Sequence, residues 1–271
     1  MIKFKYFFGS DKRSVGFLNT VYNQNNNVKV VTLPPVRTGR GRKLTPNPVQ
    51  TFCEDNNISF IYYDDNAIYN DMEYGIVASF SKIFSDKFLS TNSDLFNIHL
   101  SLLPKYKGPT PVETAILNLN NESGYTVFKI NNDVDTGDII FQKTLNIHNK
   151  YATEIYEEIN QSFNKVYKDI DFYKQGYVQD NILSNTQKYF KEDFDINNLT
   201  IEDAKTKIRA FDYLGPAYLK YNKINLKILN YSEKEVGSSI ELRNGMLYPL
   251  YVIPEGKRKM LFEDYIRGIK W

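Results

Sequence analysis

The first hundred residues alternate short runs of β-branched and aromatic residues with stretches of helical period. The runs are IKFKYFF (2–8), VKVVTL (28–33), ISFIYY (58–63), YGIVASF (74–80) and LFNIHLS (95–101). Helices are predicted around 12–22 and from Pro48, where PVQTFCEDNN follows a Pro-Asn-Pro stop. Apolar runs this continuous suit strands buried on both faces, and the intervening helices supply the crossovers that parallel strands require. The pattern predicts an α/β fold with a doubly wound, largely parallel sheet.

Further along, Pro111 opens another helix. GYTVFKI (124–130) and DIIFQKTLNI (138–147) then read as a late antiparallel pair. Residues 152–175 read as one long amphipathic helix, with Ile155, Ile159, Phe163 and Val166 along one side. The polar stretch 177–198, rich in Asn, Gln, Asp and Ser, reads as a linker. Beyond it, Thr200 caps a short helix with an acidic first turn, and Asn244-Gly245 marks a hairpin in a small β-rich module. The expected organisation is an α/β domain over 1–180 and a β-rich domain over 198–271. No run reaches the roughly 18–20 apolar residues of a membrane span, and the N-terminal run reads as a first strand rather than a leader. A cytoplasmic, reducing location and a monomeric chain without membrane contact are expected.

Composition narrows the chemistry. With one cysteine, Cys53, and two histidines, His99 and His148, the chain cannot build a disulfide framework, a multi-cysteine metal site or a three-histidine centre. No metal is expected, and any catalysis must rest on carboxylates, amides and one or two imidazoles. The net charge of +2 hides an asymmetry: from Lys12 to Cys53 there is no acidic residue across 42 positions that hold seven basic ones. The densest part, PPVRTGRGRKLTPNP (34–48), reads as an exposed loop carrying Arg37, Arg40, Arg42 and Lys43. A basic loop on an otherwise slightly acidic chain suits a phosphate-bearing partner such as a nucleic acid, and charge alone suits a solvated loop with chance charge equally well. The glycines there do not spell a phosphate-binding loop.

One constellation stands out. In LFNIHLS, Asn97 and His99 are two residues apart, so their side chains share a face of the strand. SLLPKYKGPTP (101–111) follows, at the carboxyl end of the strand, where open α/β sheets bind ligands. NNDVDTGDII (131–140) places Asp133, Asp135 and Asp138 in a turn that can bring Asp135 beside the histidine. A calcium loop fails, because its twelfth position counted from Asp133 is Thr144. Taken singly, each residue also suits a structural role: a half-buried core histidine, a turn aspartate, a strand asparagine.

NIHLSLLPKYKGPTPVETAI followed by VDTGDII resembles the signature of the folate-dependent formyltransferases. GRGRKLTPNPVQTF (39–52) is similar to the loop that distinguishes the branch acting on methionyl-tRNA. IRAFDYLGPAY (208–218) and IPEGKRKMLFEDYIRG (253–268) are similar to that branch's C-terminal domain. The resemblance implies a Rossmann-like catalytic domain followed by a small β-rich, OB-like domain that binds tRNA. It implies transfer of formyl from 10-formyltetrahydrofolate to the α-amine of methionine on initiator tRNA, as part of translation initiation. The family's catalytic Asn, His and Asp fall on Asn97, His99 and Asp135, and its folate-binding element falls on Ser101, Leu102, Leu103 and Pro104. Arg37, Arg40, Arg42 and Lys43 become the expected tRNA contacts.

Two features depart from the pattern. FFGSDKRSVGFL lacks the Thr-Pro that commonly follows this glycine, and the C-terminal domain is compact. A sugar-nucleotide N-formyltransferase keeps the same donor and trio, although the basic loop speaks against it. A formyltetrahydrofolate hydrolase usually carries a ligand-sensing domain that is not visible here. A non-catalytic RNA-binding protein has no use for the trio.

Overall fold

The computed structural model describes residues 2–25, 27–39, 41–180 and 184–269. The chain separates into two compact units. One comprises 1–108, 124–145 and 156–185; the other comprises 109–123, 146–155 and 186–271.

The first unit is built on a seven-stranded sheet. Its opening strand β1 (Phe4–Gly9) buries Tyr6, Phe7 and Phe8 almost completely. Asp11 then caps α1 (Lys12–Asn23), accepting from the Arg13 amide, while Ser14 returns a hydroxyl to the Asp11 amide. Next come β2 (Val28–Thr32), the short β3 (Val36–Thr38) and β4 (Lys43–Thr45), and α2 (Pro48–Asp55). Asn47 caps α2, and Pro48 stands in its first turn, where no amide donor is needed. They are followed by β5 (Phe60–Tyr62), β6 (Met72–Ala78), α3 (Asp86–Thr91) and β7 (Leu95–His99). After α4 (Pro111–Leu117) the chain returns to the sheet as β8 (Glu122–Lys129) and β9 (Ile139–Asn146), and then enters α5 (Ala152–Val166).

The sheet order is β5-β2-β1-β6-β7-β8-β9. Strands β5 to β7 run parallel with their neighbours, whereas β8 pairs antiparallel to β7, with His99 opposite Thr126. The predicted doubly wound sheet is therefore present, with a late antiparallel addition. One face packs Tyr6, Phe8, Val31, Val77, Phe88 and Leu95 with a cluster of further aromatic rings. Phe17 of α1 meets Phe163 of α5 edge-on at 5.0 Å between ring centres.

The helix expected over 152–175 stops at Val166. A 3-10 turn follows at Tyr167–Asp169, and Ile170 is extended (φ −79°, ψ 114°). That change of path buries Ile170 and lets Phe172 stack on Tyr74 at 4.5 Å. Tertiary packing overrides the helical period here.

The second unit holds α4, the N-terminal turn of α5, and the C-terminal module: α6 (Ile201–Phe211), β10 (Tyr218–Tyr221), β11 (Ile224–Ser232), β12 (Ile240–Leu242), β13 (Gly245–Pro254), β14 (Met260–Leu261) and α7 (Phe262–Arg267). Its strands pair antiparallel around β11 and β13, over a core that includes Ile208, Leu226, Ile228, Leu247, Val252 and Phe262. The predicted helix at Thr200 and the β-rich module are both found.

The stretch read as a linker is structured wherever it is described. Tyr177 bridges Ile139 in the first unit. In the second, Tyr189 packs on Phe211, a 3-10 turn forms at Lys191–Phe194, and Ile196 is fully buried. Polar composition concealed a chain that spends its side chains on specific hydrogen bonds. Among the described residues, no helix is long and apolar enough to cross a membrane.

Candidate active site

Strand β7 ends on His99, and the sheet directs the side chains of Asn97 and His99 to one face, as their spacing predicts. The chain then makes a tight, buried turn. Ser101 is fully buried, and its hydroxyl donates to the Lys105 carbonyl at 2.6 Å. Thr126, on the neighbouring strand, donates its hydroxyl to the Ser101 carbonyl at 2.7 Å and accepts from the Leu103 amide at 3.0 Å. Gln142 donates to the Leu103 carbonyl at 2.7 Å and to the Thr126 hydroxyl at 2.9 Å. Tyr177 in turn donates to the Gln142 side-chain oxygen at 3.0 Å.

Within the expected folate element, then, Ser101 and Leu103 face inward, Leu103 packing with Phe128 and Ile139. Leu102 and Pro104 are partly exposed, and the Leu103-Pro104 bond is cis. The fixed backbone and these two half-exposed side chains are what the segment offers a ligand.

Asp135 reaches the same place from the turn after β8. Its carboxylate lies 3.5 Å from His99 Nδ1 through Oδ2, and 3.5 Å from Asn97 Nδ2 through Oδ1. The Gly108 amide donates to Oδ2 at 2.8 Å, so the loop after β7 and the turn after β8 are tied at the carboxylate itself. The three residues that the spacing and the resemblance singled out are thus brought together.

The far side of the imidazole is occupied too: Nε2 lies 2.8 Å from the Tyr106 carbonyl. A carbonyl only accepts, so Nε2 carries a proton. Nδ1, on the other side of the ring, faces the Asp135 carboxylate. The long 3.5 Å contacts leave the Asn97 amide and His99 Nδ1 with hydrogen-bonding capacity for a reacting atom. His99 and Asp135 are nearly enclosed, their side chains 6% and 11% exposed.

The turn itself is constrained. Asp135 has φ +53°, a left-handed conformation that a non-glycine residue rarely holds. Two positions later, a Cβ on Gly137 would sit 1.6 Å from the Lys129 carbonyl oxygen, so only glycine fits. Thr136 donates to Asn131 and the Asp133 carbonyl, closing the loop on itself. Asp133 and Asp138 take no part in the trio: Asp133 lies exposed, and Asp138 contributes its carbonyl to the Lys129 amide.

The sequence reading missed the main-chain partners at Tyr106 and Gly108, which carry no side-chain signal. It also missed Gln179, whose amide donates to the Asp135 and Gly137 carbonyls at 3.1 and 2.8 Å from within the segment taken for a linker.

Other candidates fall away. Cys53 is fully buried in α2, and burial, with Glu54 nearby, pushes its thiol up to about 11, so it stays protonated and shielded. His148 is exposed and hydrogen-bonds Asn121 at 2.8 Å.

The basic segment is an antiparallel hairpin rather than an irregular loop, Arg37 pairing with Leu44 and Thr38 with Lys43. Arg37, Arg42 and Lys43 are exposed, and Arg40 lies outside the described residues. Arg37 hydrogen-bonds the Arg42 carbonyl at 3.4 Å, a contact within the hairpin.

Comparison with known proteins agrees with this architecture. A methionyl-tRNA formyltransferase of Dictyoglomus thermophilum is 26% identical, the match covering 97% of this chain and 96% of that protein. The solved N-formyltransferase from Helicobacter canadensis, in complex with folinic acid and dTDP-3-aminofucose, is 25% identical with a TM-score of 0.63, over 95% of this chain and 96% of that one. The methionyl-tRNA formyltransferase from Clostridium thermocellum shares the fold at a TM-score of 0.61 and 16% identity, over 97% of this chain and 100% of that one. A family model described as formyl transferase matches residues 12–170, more than half of the sequence, and the chain belongs to that family.

Proposed function

We propose that the chain transfers the formyl group of 10-formyltetrahydrofolate to the α-amine of methionyl initiator tRNA. The observation that carries the reading is the convergence of Asn97, His99 and Asp135 at the carboxyl end of β7, beside the stapled Ser101–Pro104 turn. In this reaction the methionine nitrogen forms a bond to the formyl carbon, and the carbonyl oxygen becomes an oxyanion. The bond to the folate N10 then breaks, and one amine proton ends on N10. The Asn97 amide and a protonated His99 donate to the oxyanion, which is worth about 10²–10³ in rate per aimed donor. Asp135 holds the charged imidazole and relays the amine proton, directly or through water, towards N10. Leu102 and Pro104, on a backbone fixed by Thr126 and Gln142, receive the folate. No step draws on a metal.

For the acceptor, the reading rests on the likeness to the Dictyoglomus thermophilum protein along almost the whole chain and on the acid-free hairpin with Arg37, Arg42 and Lys43 exposed. Cations so placed neutralise tRNA phosphates, and Arg40 is assigned to the same role from its place in the sequence. The compact C-terminal β domain would contribute the remaining tRNA contacts.

The likeness to the Helicobacter canadensis enzyme favours a second reading, in which the same donor and trio formylate a sugar nucleotide. Formyl transfer measured side by side on charged initiator tRNA and on dTDP-amino sugars separates the two. We expect tRNA to be the substrate by a wide margin in kcat/KM, and turnover confined to amino sugars would reverse the assignment.

A further inference from the structure

We infer that Gln179 is a positioning residue that holds the Asp135 carboxylate in register for the reaction. The inference rests on the catalytic role proposed above for Asp135. Four observations converge on it. First, Asp135 sits at φ +53°, a conformation it keeps only where its surroundings over-determine it. Second, the Gln179 amide nitrogen donates to the carbonyl of Asp135 at 3.1 Å and to that of Gly137, two residues on, at 2.8 Å, and so ties two points of the turn together.

Third, the Gln179 side-chain oxygen is buried and has no hydrogen-bond partner among the described residues. An amide that leaves its oxygen unsatisfied while both protons go to carbonyls is held there by its donors alone. Reversing it would set an oxygen against two carbonyl oxygens, so the orientation is unique. Fourth, the segment that carries Gln179 is itself anchored. Tyr177 exchanges both main-chain hydrogen bonds with Ile139 at 2.9 and 3.0 Å, and Ser184 accepts the Tyr106 and Lys107 amides at 3.1 and 2.8 Å. Residues on either side of Gln179 are therefore tied to the turn after β8 and to the loop after β7, the two pieces that meet at the Asp135 carboxylate through the Gly108 amide.

Gln179 touches neither reacting atom nor the carboxylate; it acts on the main chain beneath it. Misplacing a catalytic group by about 1 Å costs on the order of 10²-fold in rate. Gln179→Met, which keeps the length and removes both donors, should lower kcat by roughly that factor while leaving KM for either substrate within about twofold. Gln179→Glu, whose carboxylate cannot donate at neutral pH, should fall as far. Added to Asp135→Ala, either variant should cost nothing more, because the group it positions is already gone.

A readout independent of turnover is hydrogen exchange at the Gly108 amide, which the Asp135 carboxylate protects in the native protein. Exchange there should speed up at least tenfold in Gln179→Met, with the β1 and β6 amides unchanged. Wild-type kcat in both variants, or equal multiplicative losses with and without Asp135, would overturn the assignment. If the wild-type enzyme transfers formyl to no amine tested, the catalytic reading fails. Gly108 exchange then decides whether Gln179 sets the carboxylate's position, and unchanged protection refutes it.

Discussion

Two turns in the first unit each hold a non-glycine residue in the left-handed region, Asp135 at φ +53° and Arg42 at φ +46°. What holds them differs. The Asp135 turn is gripped from outside: its main chain by Gln179, its carboxylate by the Gly108 amide, with His99 and Asn97 a little farther off. Among the described residues, the Arg42 turn is held by bonds within its own hairpin, its amide closing on the Gly39 carbonyl at 3.1 Å and its strands spanning three residues each. The first arrangement uses many contacts to fix one carboxylate, which suits the catalytic role proposed for Asp135. The second leaves Arg37, Arg42 and Lys43 exposed on a surface hairpin, which suits the proposed contact with tRNA phosphates.

The largest expected effects lie in the first turn. Asp135→Ala and His99→Ala should each lower kcat by about 10²–10³, and the double variant should be little worse than either, as the proposed mechanism with the pair acting as one unit requires. Fully multiplicative losses in single-turnover assays would break the unit apart. Gly137→Ala comes next: with the new methyl 1.6 Å from the Lys129 oxygen, the turn must open. Urea unfolding should register a loss on the order of 2–4 kcal/mol, and an unchanged midpoint would mean the turn is far softer than its contacts suggest.

In the hairpin, Arg42→Ala should raise KM for tRNA by roughly tenfold and reduce the slope of log KM against log salt by about one, with folate KM unchanged. Equal salt slopes would remove the hairpin from the RNA path. The smallest effect belongs to Leu44→Ser, at a side chain 58% exposed. Its stability change should stay within about 0.5 kcal/mol, and a larger loss would show that the hairpin is packed rather than free.

The two regions also differ in how they could be read from sequence. Alternating apolar runs disclosed the parallel sheet, because strands buried on both faces leave no polar period. The two-residue spacing of Asn97 and His99 gave their common face directly. Asp135 is different: three aspartates crowd one turn, and only the resemblance chose among them, because long-range pairing decides which carboxylate arrives. Gln179 lay hidden in a polar stretch whose composition is that of a linker, and its significance is two hydrogen bonds to a turn more than forty positions earlier in the chain. The end of α5 at Val166 was illegible for a related reason: Phe172 finds Tyr74 and Phe96, residues no local period can know about.

The trio leans on main-chain atoms, the Tyr106 oxygen and the Gly108 amide, and this bears on how the site tolerates change. No substitution at position 106 deletes a carbonyl, and none at 108 short of proline deletes an N–H. A scan that replaces letters one at a time will therefore record position 106 as milder than its contacts warrant, whereas Gly108, held at φ +106°, resists any side chain. Adding or removing a single residue between His99 and Gly108 is a harsh probe as well, since it shifts both main-chain atoms at once while leaving the side chains of Asn97, His99 and Asp135 on their own elements.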